Sequence, residues 1–271
     1  MKYILALILT ACASYRGDGE FTRLKSVSYN SSGDARHLSE VLIPQGEGPF
    51  PGVVVVHGGG WQSRSYSDMT SLAESLASHG FAVININYRY SPKHHHPAPV
   101  DDLQEALKFF KSHAQEYKLD PKRIALWGYS SGAHTVTYFG VTRNNQKDLK
   151  VQAIIAGGGP YDFTWYPKSP YIKGYMGKYR DQMLAEYFEA SPAHHVTEGL
   201  SPFYLYHAKA DILVEMAQAT SFEARLKAHH VKVKRYEIPF WGHASGFVLS
   251  DESVKKGILF LNEELKNSPQ I

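Results

Sequence analysis

Glycines flank a serine at two removes in Gly128-Tyr129-Ser130-Ser131-Gly132, between an apolar run at 123–127 and a helix-compatible run at 133–139. Side-chain-free neighbours allow the sharp strand-to-helix turn that lifts a nucleophilic hydroxyl to its apex. The pattern alone is weak, because glycine and serine also crowd ordinary turns. A second stretch, His57-Gly58-Gly59-Gly60-Trp61, follows the β-branched run 53–56. Three glycines could be a flexible turn into the next helix. They could equally bring backbone N–H groups up to a ligand with no Cβ in the way, as an oxyanion requires. Together the two stretches specify acyl transfer far better than either alone. His57 itself reads as structural, holding the glycine loop through a side-chain hydrogen bond.

Such residues must be placed by strands and helices. Residues 53–56 form a continuous β-branched run of the kind buried in parallel sheets, and 81–87 is a second buried strand. Residues 151–156, 202–206 and 231–238 read as further strands, and 25–29 with 38–43 as an antiparallel start. Helices are expected over 65–79, from about Pro99, and over 252–266. In the second of these, Val100, Leu103, Leu107 and Phe110 recur at helical spacing, with Asp101 and Asp102 in the first turn favouring the dipole. A chain of 271 residues that is 43% hydrophobic can bury one sizeable core. Its net charge of +3, with both signs interspersed, carries no nucleic-acid footprint. The run His94-His95-His96 could suggest a metal, but adjacent loop residues rarely face one ion, and no cysteine or paired-carboxylate motif accompanies them. A solvated loop at the rim of the site is the better reading.

On His57-Gly58-Gly59-Gly60-Trp61, Asn87-Tyr88-Arg89, Pro97-Ala98-Pro99-Val100-Asp101-Asp102 and the turn at Ser130, the chain resembles the α/β-hydrolase superfamily. The branch is that of hormone-sensitive-lipase-like and feruloyl/acetyl-xylan (BD-FAE-like) esterases, and the likeness runs from about residue 27 to the end. It implies an α/β-hydrolase fold, a mostly parallel central sheet flanked by helices with a small inserted partial cap. Ser131 stands where alanine is common, and His207-Ala208 where His-Gly is. Neither departure touches a required side chain, since position 131 offers its amide and 208 only shapes a turn. The resemblance further implies the chain order serine, acid, histidine. Asp211, after the strand at 202–206, is then the acid, ahead of Asp162 and Asp181, which lie in an inserted segment. His243, on the loop before the last helix, is the base. The expected chemistry is attack by Ser130 on an acyl carbonyl, with the oxyanion held by the amides of Gly59, Gly60 and Ser131 and no cofactor required. That is a serine carboxylesterase for short-chain or carbohydrate-linked (acetyl or feruloyl) esters. Two alternatives are a kynurenine-formamidase-like amidase using the same three residues and a catalytically inactive lipoprotein that binds sugars. An export signal argues against the first, and the intact serine, acid and histidine against the second.

The insertion at about 157–196 holds Tyr161, Phe163, Trp165, Tyr166, Tyr171, Tyr175 and Tyr179 among glycines, prolines and lysines. It is either a small satellite core or a partial cap offering flat surfaces to a sugar or aryl group. At the amino end, residues 1–11 read as a signal peptide, and Leu9-Thr10-Ala11-Cys12 resembles a bacterial lipobox. Cys12 is the only cysteine, so lipidation suits it better than a disulfide. Residues 12–24 would be a polar tether and 25–271 the hydrolase domain. The protein is then expected to be exported and anchored through Cys12 at the outer membrane, where Ala13 resembles the sorting signal; a plain signal peptide would leave it periplasmic or secreted.

Overall fold

Uninterrupted valine and isoleucine runs become the middle of an eight-stranded sheet in the computed structural model, which describes residues 15–248 and 250–266. In chain order the strands are β1 (Phe21–Ser28), β2 (Leu38–Pro44), β3 (Phe50–Val56), β4 (Ala82–Ile86), β5 (Leu119–Tyr129), β6 (Ala153–Gly157), β7 (Phe203–Ala208) and β8 (Val233–Ile238). They pair in the order β1-β2-β4-β3-β5-β6-β7-β8. Only β2 runs antiparallel to its neighbours; every pair from β4 through β8 is parallel. Parallel neighbours need long crossovers. These carry α1 (Thr70–Ser78), α2 (Ala98–Ser112), α3 (Ser131–Thr142), α4 (Pro170–Met176), α5 (Leu184–Glu189) and α6 (Met216–Ala228), with α7 (His243–Val248) and α8 (Asp251–Leu261) after β8.

Strand alternation divides the core between the two faces of the sheet. Val54 and Val56 pack with Ile84, Leu126 and Ile154 beneath α2, α3 and α6. Val53 and Val55 pack with Val83, Trp127 and Ile155 beneath α1 and α8. The aromatic insertion is no satellite: Tyr161, Phe163 and Tyr175 are buried members of the first core, while Trp165, Tyr171 and Tyr179 remain exposed.

Several boundaries differ from expectation. The fold starts before residue 25, because the half-exposed residues 21–24 already pair with β2. β5 begins at Leu119, its first turns hidden by the charged Asp120, Lys122 and Arg123. His243 opens the short α7 instead of lying in a loop, and Ala208 ends β7 instead of shaping a turn. Asp102 is more than a helix-dipole partner. It is fully buried, and it accepts from the Arg89 backbone N–H (2.7 Å), Nε (2.8 Å) and Nη2 (2.7 Å). His37 Nε2 lies 3.3 Å from the same carboxylate.

Upstream of β1 the chain lies against the carboxyl end of α1. Tyr15 stacks on His79 with ring centroids 4.9 Å apart, Arg16 pairs with Glu74, and the Gly17 N–H donates to Ser78 Oγ at 2.9 Å. That end of α1 leads into the start of β4, so it marks the amino-end pole of the parallel strands. The opposite pole, at the strands' carboxyl ends, is where α/β sheets bind ligands.

Candidate active site

Ser130 joins β5 to α3 with φ 54° and ψ −119°. That left-handed backbone costs a non-glycine residue about 1–3 kcal/mol, so its surroundings must enforce it. The Ser130 N–H donates to the Gly157 carbonyl at 2.8 Å, tying the turn to β6. Close approach accounts for the two glycines: a Cβ on Gly128 would strike the Gly132 carbonyl, and one on Gly132 the Val56 carbonyl.

At this pole three predicted residues meet. His243 Nε2 lies 2.8 Å from Ser130 Oγ, and His243 Nδ1 lies 2.6 Å from Asp211 Oδ2. The carboxylate is an acceptor only, so Nδ1 carries the proton and the Nε2 lone pair faces the serine hydroxyl. Asp211 Oδ1 accepts the Leu213 and Val214 amides, each at 2.9 Å. Burial pushes the Asp211 carboxyl up. Hydrogen bonds from His207 and His243 and the Val214 amide outweigh that, and hold it well below the usual carboxylate range.

Two contributors escaped sequence reasoning. His207 Nε2 lies 2.7 Å from the Val214 carbonyl and 3.3 Å from Asp211 Oδ2, with both side chains fully buried. Asp211 is thus flanked by two imidazoles. Tyr129, immediately before the serine, donates its hydroxyl to the His243 carbonyl at 2.5 Å. Burial, and then Tyr206, raise that phenol's pKa well above its ordinary value, so it stays a donor. The motif supplied a hint only for His207, which stands at the end of a predicted strand four residues before the acid.

The glycine loop lies beside the serine, where a Cβ on Gly58 would be 3.3 Å from Ser130 Cβ. His57 Nδ1 contacts the Gly58 carbonyl at 2.5 Å, and burial lowers its pKa to about 4. Tyr88 Oη reaches the His57 and Gly58 carbonyls and Ser131 Oγ at 3.2, 3.3 and 3.3 Å. Ser131 opens α3, and the first helical bond there runs from the His134 N–H to the Ser130 carbonyl at 3.1 Å. The preceding amides, that of Ser131 among them, have no acceptor within the helix. A helix amino end therefore faces the same corner as the loop carrying Gly59 and Gly60, a setting suited to an anion.

Other candidates lie elsewhere. Asp162 Oδ1 accepts the Thr164 N–H at 3.0 Å, capping a short turn, and Asp181 pairs with its neighbour Arg180 at 3.2 Å. The histidine run is not wholly solvated, since His96 packs inward with Nδ1 3.0 Å from Tyr175 Oη and burial lowers its pKa to about 4. Among the described residues, His37, Asp102 and Glu105 bring three ligand-type atoms within 4.8 Å of one another. Arg89, however, already holds both oxygens of Asp102, the charge a cation would have to displace.

The sheet order, the strained serine and the serine–histidine–aspartate hydrogen-bond chain define an α/β-hydrolase. Within that class the chain belongs to the BD-FAE family, whose model matches residues 40–226. It is 31% identical over 249 residues to "Probable carboxylic ester hydrolase LipM" of Mycobacterium tuberculosis, covering 85% of this chain and 56% of that one. It is 28% identical over 224 residues to "Esterase LipC" of the same organism, covering 75% and 54%. The chain thus spans about half the length of the curated relatives it matches. Among solved structures, a truncated carbohydrate esterase from gut microbiota superposes with a TM-score of 0.80 at 22% identity, covering 90% of this chain and 96% of that one.

Proposed function

We propose that the protein is a serine carboxylesterase acting on short-chain or carbohydrate-linked esters. The observation that carries this reading is the unbroken hydrogen-bond chain from Ser130 through His243 to Asp211, with spacings of 2.8 and 2.6 Å. His243 takes the Ser130 proton as Oγ attacks the acyl carbonyl, and Asp211 orients and stabilises the resulting imidazolium. The amides of Gly59, Gly60 and Ser131 receive the oxyanion; losing one such donor typically costs about 3 kcal/mol of transition-state stabilisation. The alcohol departs with the proton from His243, and water repeats the sequence to free the acid. The family, the names of LipM and LipC and the carbohydrate esterase that shares the fold all favour an ester substrate. The cationic and aromatic character of 157–196 favours an amphipathic ligand over a bare alkyl chain.

Residues 1–14, with the expected leader and Cys12, lie outside the described residues. Anchoring through Cys12 is part of this proposal, and among the described residues no helix is long and apolar enough to cross a membrane. A fluorophosphonate should label wild type at Ser130, and Ser130→Ala should lose label and several orders of magnitude of activity while melting normally. A p-nitrophenyl ester series should peak at acetate or butyrate. A peak at palmitate, or N-formylkynurenine preferred over every ester, would replace this reading.

A further inference from the structure

Tyr171 lies in α4, and its ring rests on the α-carbon of Gly60. A Cβ at Gly60 would stand 2.6 Å from Tyr171 Cδ1 and 3.3 Å from Cε1. The Tyr171 carbonyl also accepts Gln62 Nε2 at 3.2 Å, and that same side-chain amide packs on Gly174 further along the helix. α4 is therefore fastened to the glycine loop on both sides of Trp61. The residue nonetheless remains 47% exposed. The loop holds the ring while much of the residue stays open to solvent, so its orientation is set before any ligand arrives. In the ester-hydrolase reading above, Gly60 would lend its amide to the oxyanion, and its α-carbon lies against this ring. Whatever is bonded next to a carbonyl held there lies within a few atoms of Tyr171.

We propose that Tyr171 is the aromatic platform of the substrate site, on whose open face a flat ring adjoining the ester lies. The proposal rests on the ester-hydrolase reading above. A held aromatic face recognises the face of an aryl group or the C–H face of a sugar, and gives little to a short alkyl chain that cannot cover it. It also gives Gly60 a reason to be glycine beyond its φ of 61°, because any side chain would lift the ring away.

The test uses the full chain and four esters: ethyl acetate without a ring, methyl ferulate with a ring in the acyl half, and phenyl acetate and acetylated xylotriose with rings in the alcohol half. Tyr171→Ala should lower kcat/KM for ring-bearing esters relative to ethyl acetate about tenfold, chiefly through KM. Tyr171→Phe should restore the ratio to within about twofold, while Tyr171→Leu, apolar but not flat, should not. Tyr179→Ala, equally placed in the insertion and similarly exposed at 42%, should leave it unchanged. Loss confined to methyl ferulate assigns the platform to the acyl half, and loss confined to the other two assigns it to the alcohol half. An unchanged ratio in Tyr171→Ala overturns the proposal. So does an equal loss on all four esters with a lowered melting temperature, which would make the ring mere packing for the loop. If the wild type hydrolyses none of the four, the ester-hydrolase reading fails and takes this one with it.

Discussion

The Tyr129 hydroxyl binds the segment bearing His243 to the residue just before Ser130, so one side chain couples the proposed nucleophile to the proposed base. Its partner is a backbone carbonyl, and its ring packs 5.4 Å from the His243 imidazole. A hydrogen bond of this kind contributes about 1–1.5 kcal/mol. Tyr129→Phe should therefore lower kcat about tenfold with little change in KM, while the melting point drops only slightly. A shifted KM with intact kcat would place the effect in substrate binding. That Ser130, Asp211 and His243 meet was legible beforehand, because the chain order implied by the resemblance and the strand ends leave few positions for them. Tyr129 and His207 were not. The variable position of a G-x-S-x-G motif can hold many residue types, and nothing local says that its hydroxyl will find a carbonyl 114 residues away.

Between residue and molecule stand the elements, and Asp102 holds three of them. Its carboxylate takes the backbone and guanidinium of Arg89 just after β4, sits at the start of α2, and touches His37 ahead of β2. Asp102 is fully buried while the Arg89 side chain is 27% exposed, so removing the carboxylate chiefly leaves the Arg89 backbone N–H without its acceptor, a loss of about 1–3 kcal/mol. Asp102→Ala should thus unfold below wild type in urea or on heating, and molecules still folded should retain most of their turnover. Preserved stability would mean that water replaces the carboxylate. At this scale the sequence showed the strands, including β7 and β8 with no unbroken β-branched run, and misplaced some of their ends. The first residues of β1 are half-exposed, the start of β5 is charged, and α7 is only six residues long with Ser245 and Gly246, poor helix formers, inside it. In the insertion the wealth of aromatics was plain, but its short turns give no period that separates buried Tyr175 from exposed Tyr171.

Across the whole molecule, stability should depend on three imidazoles kept neutral by burial. The pKa values of His57 and His96 fall from 6.5 to about 4, and that of His134 to about 3. The unfolded chain takes up these protons near pH 6.5, whereas the folded one resists. Their contribution is therefore complete above about pH 6.5 and is lost as pH falls toward 4 and then 3, by about 3 kcal/mol for one such group. Melting temperature should fall steadily over that interval in wild type. In a variant with His134 replaced by an asparagine, the part of the slope nearest pH 3 should shrink. An unchanged slope would assign acid sensitivity to the carboxylates instead.

Tyr15 on His79 fixes a direction for the molecule. Tyr15 itself lies at the amino-end pole, about 20 Å of strand away from Ser130. With the proposed tether holding the chain at that end, the proposed nucleophile would face outward and sample the medium rather than the support. Cys12, the sole thiol, makes this geometry measurable. Coupling purified full-length chain to maleimide beads through Cys12 should preserve most of the turnover seen in solution. Moving the thiol to the 95% exposed Ile212, in a Cys12→Ser, Ile212→Cys chain, should crowd the mouth against the bead and throttle large esters before small ones.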